Sequence, residues 1–235
     1  MALNLVGWID GITGSIVVLT GCILGLYFIY KSKKVGANLL LKIGLVMILA
    51  GLAFLGVFLD FLVVLFTGEN ISNIYGLVGL LSYVWMAPLI VLGINIGAEI
   101  MIPKKKWYIT SVFIILMIIF EIFIFIDPLG SFNFVYPPSP GNALIDYNAN
   151  LDSFAGIMMI IFIVSIIVFL GIGFLIKAIQ STGDLRKKFQ LLTIGVFMYT
   201  IFGLLESLME PGFLLIPVRV GYISGPIFMY LGLKS

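Results

Sequence analysis

"WYITSVFIILMIIFEIFIFI", residues 107–126, is a run of 20 residues with one charged side chain, Glu121. At 1.5 Å of rise per residue a helix of that length covers about 30 Å, the thickness of a bilayer's hydrocarbon core. Lys104, Lys105 and Lys106 precede the run and Asp127 follows it, so charge closes it at both ends. Such a segment reads as a transmembrane helix, and its recurrence along the chain decides the fold.

Working outward, seven runs of this character appear: about 9–30, 39–67, 74–101, 107–126, 154–178, 188–210 and 213–233. Hydrophobic residues make up 62% of the chain and charged residues 10%, far outside the range of a soluble domain. The reading is an all-α membrane protein: one domain over 1–235, seven transmembrane helices, and a long loop at 127–153. The first run has no base before it and exceeds the length of a signal-peptide core, so it counts as the first span and not a cleaved leader. A lone cysteine, Cys22, excludes an intrachain disulfide, and with no histidine the chain has almost no ligands for haem, zinc or copper. No metal, cofactor or nucleic acid is expected.

Charge gives an orientation. Lys31, Lys33, Lys34 and Lys42 separate the first two spans, and Lys104, Lys105 and Lys106 the next pair of spans. Lys177, Arg186, Lys187 and Lys188 follow between the fifth and sixth, and Lys234 ends the chain. Twelve of the 13 bases thus share one side, which the positive-inside rule makes cytoplasmic. Nine of the 11 acids fall at or near the other side, leaving Glu99 and Asp184 as the exceptions. The expected protein is a multi-pass cell-membrane protein with its N-terminus outside and its C-terminus inside. Trp8 and Trp107 sit where interfacial anchors belong. The basic loops read first as topology signals and lipid-headgroup contacts, and second as a dock for a cytoplasmic protein through Lys104, Lys105, Lys106, Arg186, Lys187 and Lys188.

The loop "DPLGSFNFVYPPSPGNALIDYNANLD", residues 127–152, holds four prolines and no base, and its turn residues predict a short hairpin around "PPSPGN" folded over the outer mouth of the bundle. It reads either as a lid over a pocket or as an ordered connector. "NIS" at 70–72 matches a glycosylation sequon, a pattern short enough to arise by chance. The spacings Gly21/Gly25, Gly93/Gly97 and Gly221/Gly225 allow close helix contact in lipid, within the bundle first and in a homo-oligomer second.

Shifting the chain by 146 residues lays the first two spans over the fifth and sixth, with 9 identities in the 37 positions from 24 to 60, and places Asp60 over Glu206. A parallel duplication of three helices with the fourth as connector would resemble the 3+1+3 plan of the seven-helix rhodopsins and of small sugar transporters built from triple-helix bundles.

One base stands apart. Arg219, in "LLIPVRVGYISGPIF" (214–228), lies about two turns below the outer surface. Two readings are open. The side chain snorkels to the headgroups, or it pairs inside the bundle. Glu206 is the first choice of partner and Glu210 the second, because the sixth and seventh spans are joined by a very short link. Asp60 and Glu121 lie at similar depth, and Tyr83 and Trp85, ahead of a kinking Pro88, are candidates to line the same outward-facing pocket with Tyr222. On the inner half Asn95 and Glu99 share a face, with Glu99 expected to pair with the lysines that follow it.

These residues bound the function. Retinal pigments of this topology carry a lysine midway along the seventh helix; Arg219 cannot form a Schiff base and Lys234 is at the edge, so retinal is not expected. No nucleophile is paired with a base, so no enzyme is expected. The segment "LRKKFQLLTIG", 185–195, resembles the basic start of the sixth helix in the seven-helix sensor regions of microbial histidine kinases and diguanylate cyclases. That resemblance implies a sensor or receptor-like protein that takes a small-molecule ligand from outside. With the chain ending at Ser235, the signal would pass to a separate cytoplasmic protein. A small-solute or ion transporter is the main alternative, and a structural subunit of a membrane assembly the third.

Overall fold

A lipid-facing chain must satisfy its backbone donors and acceptors within itself, and the apolar runs fold into helix accordingly. The computed structural model describes residues 3–233; Lys234 lies outside the described residues. The elements are α1 (Leu5–Val35), α2 (Asn38–Leu52), α3 (Leu55–Thr67), α4 (Leu77–Tyr83), α5 (Met86–Met101), α6 (Lys106–Ile126), α7 (Pro128–Ser131), β1 (Phe132–Val135), β2 (Asp146–Ala149), α8 (Phe154–Ile166), α9 (Gly173–Gln180), α10 (Gly183–Leu208) and α11 (Leu215–Leu233). A π-helical turn, Ile167–Ile172, joins α8 to α9. Six helical stretches are long and apolar enough to cross a membrane, with α4–α5 and α8–α9 each counted once; α2 and α3, bent by 46°, make a seventh if read as one span.

The helices overrun the apolar stretches where nothing stops them. Asn4 caps α1 by accepting from the Gly7 amide at 2.8 Å, and the helix continues through Lys31–Lys34 until Gly36, whose φ of 70° ends it. α10 likewise starts at Gly183, five residues before its apolar run, because charged side chains are good helix formers. Pro88 has no amide for the carbonyl of Val84, and the chain turns at Val84–Trp85, between α4 and α5. The break at Ala53–Phe54 has no proline behind it, and the run 39–67 gives no sign of it. There α3 lies so close to α4 that the Gly56 amide donates to Ser82 Oγ at 2.9 Å.

Neighbouring spans close a ring. α1 packs on α2 and α11, α2 on α5, α5 on the π turn and α8, α9 and the π turn on α10, and α10 on α11, while α6 packs outside against α5 and α8. The glycine pairs lie inside these seams. A methyl group on Gly21 would stand 2.7 Å from Gly51 Cα, and one on Gly225 2.7 Å from the Gly195 carbonyl. Gly21→Leu is expected to lower stability in detergent by about 1–3 kcal/mol through overpacking of the α1/α2 seam, read as a drop in thermal midpoint.

The loop between α6 and α8 is the departure from an all-helical chain. β1 and β2 pair antiparallel, Phe132 opposite Ala149 and Val135 opposite Asp146, with the proline-rich segment as their connection. The ribbon lies at one end of the bundle, and the lysine-bearing turns between spans lie at the other.

Candidate functional site

α11 begins at Leu215, so Arg219 falls in its second turn, and the residue is 3% exposed. Antiparallel α10 brings Glu206 beside it: Arg219 Nε and Nη2 donate to Glu206 Oε1 at 3.0 and 2.6 Å. α1 runs parallel to α11 on the other flank and brings up Asp10 and Thr13. Arg219 Nη1 donates to the Asp10 carbonyl at 2.6 Å and to Thr13 Oγ1 at 2.7 Å, while Asp10 Oδ1 stands 2.6 Å from Nη2. The Phe54 ring lies 5.3 Å from the guanidinium carbon. All three nitrogens are engaged, so the guanidinium joins α1, α10 and α11 and does not reach for headgroups.

Beneath the ribbon a cavity of about 160 Å³ opens into the ring. Asp10, Glu206, Arg219 and Asp146 line its ribbon end; Met86, Leu89, Ile90, Met159, Ile163 and Ile166 line its depth. Tyr199 and Tyr222 form part of the wall, where Tyr222 donates to the Tyr199 hydroxyl at 2.5 Å and lies 3.1 Å from the Ala50 carbonyl. Tyr222→Phe is expected to cost about 1 kcal/mol in thermal unfolding, the loss of one buried hydrogen-bond group.

The ribbon is tied down over this cavity. Tyr147 and Ser82 share a hydrogen bond of 2.5 Å, and the Ala149 amide donates to the Tyr83 hydroxyl at 3.0 Å. Burial, then the Asp10 and Glu206 carboxylates, push Asp146 up to about 6, against the pull of the Tyr147 amide and Arg219. A carboxyl whose folded value is raised binds its proton more tightly folded than unfolded, so its contribution to stability improves as pH falls from about 6 to about 4. Asp146→Asn is expected to raise the thermal midpoint at neutral pH and to flatten its dependence across that window.

Asp60 has another task. It is fully buried and its carboxylate accepts from Asn70 Nδ2 at 3.0 Å and from the Ile71 and Ile145 amides, each at 2.8 Å. It therefore clasps the two loops at the ribbon end and does not join Arg219. Asn70, the sequon asparagine, also donates to the Ala143 carbonyl and accepts from the Gly141 amide, so its amide is engaged in loop packing.

The remaining expectations divide. Tyr83 and Tyr222 line the cavity, and Trp85 does not; its Nε1 is buried without a hydrogen-bond partner among the described residues. Glu210 is exposed beyond the end of α10 and makes no ion pair among the described residues. Glu121 lies on α6, outside the ring, its oxygens buried without a hydrogen-bond partner among the described residues. At the lysine end Glu99 pairs with Lys106 at 3.2 Å and with Lys42 from α2, while Lys104 and Lys105 stay exposed. Lys42 also donates to Asn95 Oδ1 at 2.8 Å, and Asn95 Nδ2 to Thr110 Oγ1 at 3.1 Å, which links α2, α5 and α6. Arg186 and Lys187 are exposed and Lys188 is half-buried.

Sequence reasoning missed Asp10, Thr13, Asp146 and Tyr199. Asp10 was legible in principle, because it lies as deep in the first span as Arg219 does in the seventh, and the two spans run parallel. Comparison with protein-family models, with curated proteins and with solved structures finds no match to this chain.

Proposed function

We propose that the chain is a non-enzymatic, receptor-like protein of the cell membrane, with its ribbon end outside and its lysine end in the cytoplasm. The cavity under the ribbon receives a small molecule from outside, and the exposed bases at the other end engage a separate cytoplasmic protein. One observation carries this reading: a cavity with four charged side chains at its mouth and an apolar depth, roofed by a tethered ribbon. Pockets for small molecules have this composition, apolar walls with a few converging polar groups. The positive-inside rule supports the orientation.

Cysteine labelling tests it. In a Cys22→Ser background, Asn148→Cys is expected to react with a membrane-impermeant maleimide on intact cells, and Lys187→Cys only after permeabilisation. The reverse pattern overturns the orientation.

A transporter is the second reading, favoured by the helix break at Ala53–Phe54, since both residues line the cavity and transport sites are commonly built at interrupted helices. Flux of small organic solutes into reconstituted liposomes separates the two: the receptor reading expects none.

A further inference from the structure

The ligand's charge can be read from the hydrogen bonds the cavity mouth has left to make. Among the described residues Arg219 is the only cation lining the cavity, and it is engaged on every side: Nε and Nη2 go to Glu206 Oε1, Nη1 to the Asp10 carbonyl and Thr13, and Nη2 also faces Asp10 Oδ1 at 2.6 Å. A guanidinium so engaged has little to offer a ligand's carboxylate or phosphate.

The groups left over are acceptors. Glu206 Oε2 is buried with no hydrogen-bond partner among the described residues. Asp10, with a side chain 6% exposed, holds Oδ1 near Arg219 Nη2 as an ion pair but makes no aligned hydrogen bond with it. Asp146 comes down from the ribbon to the same mouth. Three carboxylates thus face one guanidinium. A positively charged hydrogen-bond donor is the chemistry that completes this arrangement, because it balances the charge and supplies a donor to Glu206 Oε2.

Size and polarity define the rest. An apolar cavity of about 150 Å³ accepts a benzene ring, and the depth here is lined by Met86, Leu89, Ile90, Met159 and Ile163, with Tyr199 and Tyr222 on the wall. Building on the receptor reading above, we propose that the ligand is a small free amine: an ammonium seated among Asp10, Glu206 and Asp146, and a hydrocarbon body of about one ring in the apolar depth.

The test uses phenylethylamine, with phenylethanol and phenylpropionate as neutral and anionic matches, titrated calorimetrically against the full chain in nanodiscs of phosphatidylcholine. The amine is expected to bind at least about tenfold more tightly than either match. Asp146→Asn, which leaves the Arg219 pairs intact, and Glu206→Gln are each expected to weaken the amine about tenfold or more, and Ile163→Trp to abolish binding by filling the depth. If alcohol or acid binds as well as the amine and Ile163→Trp still abolishes binding, the cavity is a ligand site and the ammonium assignment falls. Absence of binding by all three overturns both the assignment and the receptor reading. An ammonium also reaches a membrane protein on ethanolamine lipids. Amine affinity unchanged by adding phosphatidylethanolamine to the nanodiscs supports the free ligand, and competition by that lipid overturns it.

Discussion

Arg219→Leu is expected to destabilise the protein by about 3–5 kcal/mol, the cost of removing one partner from a buried, hydrogen-bonded ion pair. The loss comes from what the substitution leaves behind. Glu206 and Asp10 would face each other at the cavity mouth with no cation between them, and the Asp10 carbonyl and Thr13 hydroxyl would each lose a donor. Thermal unfolding in mild detergent reads the effect. A snorkelling arginine would tolerate leucine with little change, since a surface charge is worth about 0–1 kcal/mol. Arg219→Lys is expected to recover only part of the loss, because one ammonium cannot reach Asp10, Thr13 and Glu206 together with the geometry of a planar fork.

Asp60→Ala is the second large effect, and it acts on the roof. Its carboxylate is the shared acceptor for Asn70, Ile71 and Ile145, so alanine leaves the half-buried Ile71 amide and the buried Ile145 amide without their acceptor, and Asn70 Nδ2 with the Ala143 carbonyl alone. Each such group costs about 1–3 kcal/mol, and a total of about 3 kcal/mol or more is expected. Asp60→Asn keeps one carbonyl acceptor and should fall between alanine and the wild type. Limited proteolysis separates this from a general loss of stability: cleavage within 127–153 should precede cleavage anywhere else in the alanine variant.

Those two residues mark what the sequence could and could not tell. Apolar runs long enough to cross a membrane declare themselves, because in lipid the helix must satisfy its own backbone. The short link between the sixth and seventh spans likewise made Glu206 a natural neighbour of Arg219. Asp60 was misplaced because depth in the membrane is a single coordinate. By its place in the second span it falls near the level of Arg219, yet its partners are loop amides that no helical spacing could place there. Asp10 was passed over for a related reason, read as a boundary acid before the ring closure brought α1 against α11. The bend at Ala53–Phe54 has no proline to announce it; it goes with the close approach of α3 and α4 at Gly56 and Ser82, a tertiary contact. The hairpin was foreseeable from "PPSPGN", whereas the strands beside it are held by Ser82 and Tyr83, residues on a distant span.

The central claim is that Arg219 is locked inside the bundle beside a ligand cavity. A high-resolution cryo-electron microscopy map of the protein, extracted with its native lipids and whatever else it carries, tests this most directly. The account predicts Arg219 density bridging Glu206 and Asp10, with separate non-protein density in the cavity beneath the ribbon, in contact with Glu206 or Asp146. An arginine turned outward to the headgroups, or a cavity closed by its own side chains or filled by a lipid acyl chain running in from the bilayer, would contradict it.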